Sequence, residues 1–207
     1  MYANKTIGEF LRELSSGAPT PGGGSAAALS GATGAALVCM VCNLTIGREK
    51  YKAVESEMQT ILAQASSLRD ELLAAIDADV AAYGVVAAAS KMPRGTDEEK
   101  AARTRALQAA LKAATRPPLD TARLCAEVMG LCRPVGERGN VNAVSDAGVG
   151  IAEAEAGLRS AALNVKINLG LIKDPDFVAE AQRMLNGYLA GKAELREAVL
   201  RTVEAKL

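Results

Sequence analysis

An all-α bundle of about five or six helices, two of them long and one rich in buried Ala and Gly, is predicted by three features of this 207-residue chain. Aromatic residues make up 3% and Trp is absent, while Ala is abundant, a composition that suits closely packed helices better than sheets. Apolar residues recur at three- and four-residue spacing, with no alternating strand pattern and no internal repeat. Residues that break helices gather in a few short stretches between these periodic segments. The expected organisation is a single all-helical domain over residues 1–207.

Thr6 and Glu9 fit a capping box, so a short helix is expected from Ile7 to about Ser16. Residues 17–24, with two prolines and four glycines, cannot be helical, and Ser25 is placed as the N-cap of a buried helix ending near Ile46. A third helix is expected from about Arg48 to Ser90, ended by Pro93 and Gly95. Asp97, Glu98 and Glu99 open the next one at the positive end of its dipole. Pro117 and Pro118 should kink or interrupt that helix before it resumes towards Leu131. A loop from Cys132 to Val141 then leads into a helix from about Ala143 to Ile172, and Asp174 with Pro175 starts the last one.

Composition excludes several functions. The 24 basic and 24 acidic side chains balance, and no basic block or aromatic-and-basic stripe appears, which argues against nucleic-acid and membrane-surface binding. With no histidine, Ser-His and Cys-His nucleophile systems and histidine-ligated metal sites are impossible. Acid–base chemistry must fall to carboxylates, Lys, Tyr or Cys. Cys39, Cys42, Cys125 and Cys132 lie in helical stretches without a second CxxC, so they read as small buried thiols, as suits a cytoplasmic protein, with no metal site. Glu9, Arg12 and Glu13 rule out a signal-peptide core at the N-terminus. The uncharged run Gly22–Gly47 is long enough to span a bilayer, but its Ser, Thr, Asn and Gly content favours a helix buried on all sides in protein.

Two anomalies mark candidate chemistry. On the third helix Ile61, Ala65, Leu68, Leu72, Ile76 and Tyr83 form a buried stripe, and Asp79 falls within it, where desolvation would raise its pKa into the range of a general acid. A structural buried Asp, bonded to a neighbouring helix, fits the pattern equally well. Tyr83, one turn on, is a candidate to orient Asp79, or else an ordinary core Tyr. Asp77 points to the opposite side with Asp70 and Ser66 and is expected in solvent. On the later helix Asp146, Glu153, Gly157, Ser160, Asn164 and Asn168 form a polar seam between apolar flanks, either the wall of a wet pocket or interhelical glue, with Glu155, Arg159 and Lys166 left to solvent. The Asn pair suits a flat amide-bearing heterocycle. The turn Gly22, Gly23, Gly24, Ser25 offers backbone N–H groups to an anion, or simply starts a helix. Arg48, Lys50, Lys52 and Arg94, at helix ends, could hold a polyanionic tail or be merely solvated.

Five ordered stretches carry a resemblance across nearly the whole chain: residues 19–26 (PTPGGGSA), 77–83 (DADVAAY), 92–100 (MPRGTDEEK), 139–146 (GNVNAVSD) and 162–169 (ALNVKINL). The chain resembles the formiminotetrahydrofolate cyclodeaminases and methenyltetrahydrofolate cyclohydrolases, and its length and the segment Val38–Gly47 are most similar to stand-alone bacterial cyclohydrolases. The resemblance implies an all-α homodimer that binds reduced folate as substrate, without cofactor or metal. It implies Asp79, the second acid of the Asp77/Asp79 pair, as proton donor. Pro21, Gly22, Gly23, Gly24, Ser25, Arg48, Arg94, Asn142, Asp146, Asn164 and Asn168 are the expected substrate-binding residues; the Gly22–Ser25 turn, the Asp79 stripe and the Asn164/Asn168 seam should converge on one cleft, with Arg48, Lys50 or Arg94 near its mouth. Arg94 stands where family members often carry Lys, and no formiminotransferase segment precedes the domain, which favours hydrolysis of methenyltetrahydrofolate over deamination of formiminotetrahydrofolate. A helical folate-binding or scaffolding protein without turnover is the reading from another class.

Overall fold

The computed structural model describes residues 1–207 and contains helices and turns, with no strand. After a 3-10 turn at Tyr2–Asn4 come α1 (Ile7–Leu14), α2 (Gly23–Thr45), a 3-10 helix at Glu49–Val54, α3 (Glu55–Ser90), α4 (Asp97–Arg138), a 3-10 turn at Val141–Ala143, α5 (Val144–Leu169), α6 (Pro175–Leu189) and α7 (Lys192–Glu204). The four long helices close a ring in which α2 packs on α3 and α5, and α4 on α3 and α5. The core lies inside this ring, with Leu72, Cys125, Met129, Ile151 and Leu158 at its centre. Helices α6 and α7 cover its outer side against α4 and α5.

Glycine sets how closely α2 and α5 approach. A Cβ at Gly157 of α5 would lie 2.8 Å from the Ala27 carbonyl and 2.9 Å from the Gly31 nitrogen, and one at Gly34 of α2 would lie 2.8 Å from the Gly150 carbonyl. The room left by Gly31 and Gly157 is filled by the Cys125 Sγ, 2.5 and 2.8 Å from where their Cβ atoms would stand. All four cysteines are free and buried, and burial pushes the Cys42, Cys125 and Cys132 thiols up to about 12. They are packing residues, as the sequence suggests. Gly130 of α4 and Gly187 of α6, by contrast, face open space. Replacing either with Ala should raise stability by about 0.5–1 kcal/mol through helix propensity alone, measurable as a higher midpoint in urea.

Several sequence expectations are corrected. The capping box at Thr6 and Glu9 forms as expected, but α2 begins at Gly23 with Gly22 as its N-cap, leaving Ser25 inside the first turn. Helix α2 is not buried on all sides: Thr33, Ala36, Met40 and Asn43 are exposed. The third helix is preceded by a tighter 3-10 segment. Helix α4 runs unbroken for 42 residues through Pro117, Pro118 and Pro134, and so absorbs most of the loop expected after Cys132. Pro118 cannot donate to the Ala114 carbonyl, and the Asn168 side chain of α5 supplies that hydrogen bond instead, Nδ2 to O at 3.0 Å. A neighbouring helix thus repairs what a single-helix reading scores as a break. The expected last helix is divided at Gly191, whose φ of 69° is left-handed backbone.

Glu155 is not left to solvent. It is 7% exposed, because α7 folds back over α5 and sets Arg196 beside it. Its carboxylate accepts from Arg159 Nε and Arg196 Nη1, both at 2.9 Å. Removing the buried partner leaves two cations facing each other, and since both Arg side chains are partly exposed the loss is screened. Glu155→Ala should cost about 2 kcal/mol, a fall in melting temperature of roughly 4–8 °C for a chain of this size.

Candidate active site

Helices α2 and α3 run antiparallel, Cys39 Sγ lying 3.6 Å from Ser66 Oγ near one end and Ser25 meeting Asp79 at the other. The first turn of α2 therefore faces the middle of α3. The fully buried Ser25 donates its hydroxyl to Asp79 Oδ2 at 2.9 Å. Gly24 makes the approach possible, since a Cβ there would stand 2.2 Å from Asp79 Oδ1. Burial raises the Asp79 pKa above the ordinary carboxylate range, and the hydrogen bonds from Ser25 only partly oppose it. Asp79 is half-buried rather than in the fully buried position read from the apolar stripe, while the bond to a neighbouring helix is present. A carboxyl that can hold or release a proton stands at the positive end of a helix.

This pair opens onto a cleft of about 350 Å³. Pro19, Thr20, Gly22, Gly23 and Gly24 form one wall, Asp79, Ala82, Tyr83 and Val86 of α3 a second, Leu111, Ala114 and Pro118 of α4 a third, and Asn164, Ile167, Asn168 and Leu171 a fourth. Antiparallel packing of α5 on α2 brings Asn164 to Gly23, the Asn164 Nδ2 lying 3.4 Å from where a Gly23 Cβ would be. Asn164 also donates from Nδ2 to the Ser160 carbonyl at 2.9 Å. Three motifs far apart in sequence, the glycine turn, the Asp79 stripe and the Asn seam, meet in one mostly apolar concavity with a few polar groups, the usual form of a small-molecule site.

Other expected site residues lie elsewhere. Tyr83 lines the cleft but is 43% exposed and makes no hydrogen bond to Asp79. Pro21 is buried and does not line it. Arg94 is exposed in the turn between α3 and α4, outside the lining. Arg48 and Asn142 border a separate concavity at the C-terminal end of α2, and Asp146 is half-buried in the first turn of α5, at that same end. The Asp146-to-Asn168 seam runs the length of α5, and only its C-terminal part reaches the cleft. Asp77 does point away from Asp79, yet it is half-buried rather than solvated. Its Oδ1 accepts from the Tyr2 backbone N–H at 2.8 Å, and its Oδ2 is buried without a partner. The N-terminal segment that covers it carries no helical period from which to foresee this. Leu111, Ala114 and Pro118 were missed because only the unbroken course of α4 brings them to the cleft.

The chain is 50% identical, over the full length of both proteins, to a methenyltetrahydrofolate cyclohydrolase of Methylorubrum extorquens. It is 33% identical over 98% of its length to a formimidoyltransferase-cyclodeaminase of Gallus gallus, of which it spans 37%. The crystal structure of a formiminotetrahydrofolate cyclodeaminase from Thermotoga maritima superposes with a TM-score of 0.89 at 28% identity, covering 99% of this chain and 98% of that one. A family model matches residues 6–187, and by that match and these relatives the chain belongs to the formiminotransferase-cyclodeaminase family.

Proposed function

We propose that the chain hydrolyses 5,10-methenyltetrahydrofolate to 10-formyltetrahydrofolate, with Asp79 moving the protons. The observation that carries the reading is the desolvated Asp79 carboxyl, fixed by Ser25 in a cleft of small-ligand size. The relative identical at half of all positions over its whole length supports the same activity. In the reaction, water adds to the cationic carbon bridging N5 and N10, and the Asp79 carboxylate takes a proton from it. The neutral tetrahedral adduct then loses its bond to N5 as Asp79 returns that proton to N5. The hydroxyl proton leaves to solvent as the formyl C=O forms on N10. A negative Asp79 also stabilises the cation before attack, and the apolar walls limit competing water. One well-placed acid or base accounts for roughly 10² to 10⁴ in rate.

With Asp79 as base, kcat/KM should rise with pH through an apparent pKa above the usual Asp value of about 3.9, and this limb should vanish in Asp79→Asn. A profile that keeps the limb in the variant would remove Asp79 from the role. Relatives named as cyclodeaminases, including the structural neighbour, favour a second reading in which formiminotetrahydrofolate loses ammonia in the same cleft. Loss of methenyltetrahydrofolate absorbance, set against ammonia release from formiminotetrahydrofolate, separates the two. The four unpaired thiols support a cytoplasmic setting.

Asp79 can work only while position 24 lacks a side chain. Gly24→Ala should leave the helices intact, since the added methyl meets a carboxyl group rather than backbone. It should turn Asp79 away from Ser25 and lower kcat by about tenfold or more. Unchanged circular dichroism beside lost turnover is the expected pair of results.

A further inference from the structure

Leu171 lines the cleft and yet is 59% exposed. A side chain so open to solvent is not held by packing, so its position depends on its backbone. It lies just past the end of α5, in the short segment that leads to Asp174, the N-cap of α6. Ile172, the next residue, is buried in the core and anchors the segment there. The peptide groups on either side of that anchor go to one side chain of α4. Gln108 donates from Nε2 to the Leu171 carbonyl at 2.9 Å and accepts the Lys173 N–H on Oε1 at 2.7 Å. Each end of the amide has the partner its chemistry requires, so it cannot flip without losing both bonds. Ile172 fixes where the segment sits, and Gln108 fixes how it is turned.

Gln108 itself is half-buried and does not line the cleft. One turn on along α4, Lys112 Nζ pairs with Asp174 Oδ2 at 2.5 Å, and Asp174 Oδ1 accepts the Asp176 and Phe177 N–H groups. Those bonds hold the start of α6 and involve no lining residue. Helices α3 and α5 stand across the ring from each other, so Tyr83 and Leu171 belong to opposite walls. Tyr83 is the one aromatic residue of the lining.

We propose that Gln108 is a positioning residue for substrate binding: its paired hydrogen bonds turn Leu171 towards Tyr83 and so set the width of the slot that takes the flat ring system of the substrate. The role in binding rests on the proposed folate reading, whereas the grip on the segment does not. Without the pair, the segment spends only part of its time in the competent turn, and apparent affinity falls by that fraction. Asp79 and Ser25 are untouched once substrate is bound, so kcat is retained.

Gln108→Ala should raise KM about fivefold, the weight of one ordering hydrogen bond, with kcat within about twofold of wild type. Gln108→Glu keeps the side-chain length and the acceptor for the Lys173 N–H, but at neutral pH it has nothing to donate to Leu171, and KM should rise to a similar extent. Lys112→Met is the comparison: it should lower the melting temperature by releasing Asp174 and leave KM near wild type. Action through Leu171 is read by a double-mutant cycle. Leu171→Ala should itself raise KM, and adding Gln108→Ala to it should change KM little further. A lower melting temperature with unchanged KM in Gln108→Ala, or effects of the two substitutions that simply multiply, would overturn the proposal. Exchange of the Lys173 amide hydrogen, followed by NMR, needs no turnover: it should quicken in Gln108→Ala, and unchanged exchange would refute the grip. If the wild-type chain hydrolyses no methenyltetrahydrofolate, the proposed function fails and the amide exchange still decides whether Gln108 holds the segment.

Discussion

Asp79→Asn is expected to lower kcat about 100-fold or more while leaving the protein more stable at neutral pH. Asn keeps the volume and can still accept the Ser25 hydroxyl, so packing is preserved, but it cannot cycle a proton. The stability change follows from linkage. Burial holds the folded-state pKa of Asp79 above its unfolded value, so the folded chain binds the proton more tightly. That advantage is full below the unfolded pKa and is lost as pH rises through the folded one. At neutral pH the wild type therefore keeps a desolvated carboxylate, and the Asn variant is free of it. Melting temperatures of the two chains should differ at pH 7 and converge as the pH falls towards the unfolded Asp value. A variant that melts lower than wild type at pH 7 and retains turnover would make Asp79 a purely structural residue. Asp77→Asn serves as the comparison: it should loosen the Tyr2 contact and leave kcat near normal.

Gly157→Ala should destabilise the fold by about 2 kcal/mol through a single added methyl. Overpacking costs about 1–3 kcal/mol or more, set against nearly 1 kcal/mol gained from helix propensity. Here the new Cβ meets the Ala27 carbonyl and the Gly31 nitrogen, backbone atoms that cannot swing aside, and also the Cys125 Sγ. The α2–α5 spacing must widen, and with it the distance from Gly23 to Asn164 across the cleft. The same change at Gly130 has the opposite sign. Thermal melts of the two variants, run side by side, isolate close helix approach from propensity.

The folding pattern was legible wherever one helix carried its own signal. The Thr6/Glu9 box, the acidic start at Asp97 and the Asp174-Pro175 start all appear where local chemistry places them. Asp79 was legible for a related reason: a carboxylate within an apolar stripe is anomalous in any tertiary setting. What could not be read depended on neighbours. Pro118 is tolerated because Asn168 donates to Ala114, and Glu155 is buried because α7 returns across α5. Asn142 was joined to Asp79 by family motifs and Arg48 by its charge at a helix end, but neither signal carries a distance, and the length of α2 separates them from the cleft.

The bond between Asn168 and Ala114 also fixes the polarity of recognition. An amide free to flip presents nitrogen or oxygen as a ligand requires. At Asn168 one N–H is committed to the carbonyl orphaned by Pro118, and at Asn164 one N–H is committed to Ser160. Each oxygen is left as the end with no protein partner, so this wall accepts more readily than it donates. A ligand edge rich in N–H, such as the lactam and amino group of a pterin, meets it without rearrangement. A ring bearing carbonyls at the same positions would find only the one remaining N–H of each amide, so the preference at this wall is coupled to the bond that spans the proline of α4.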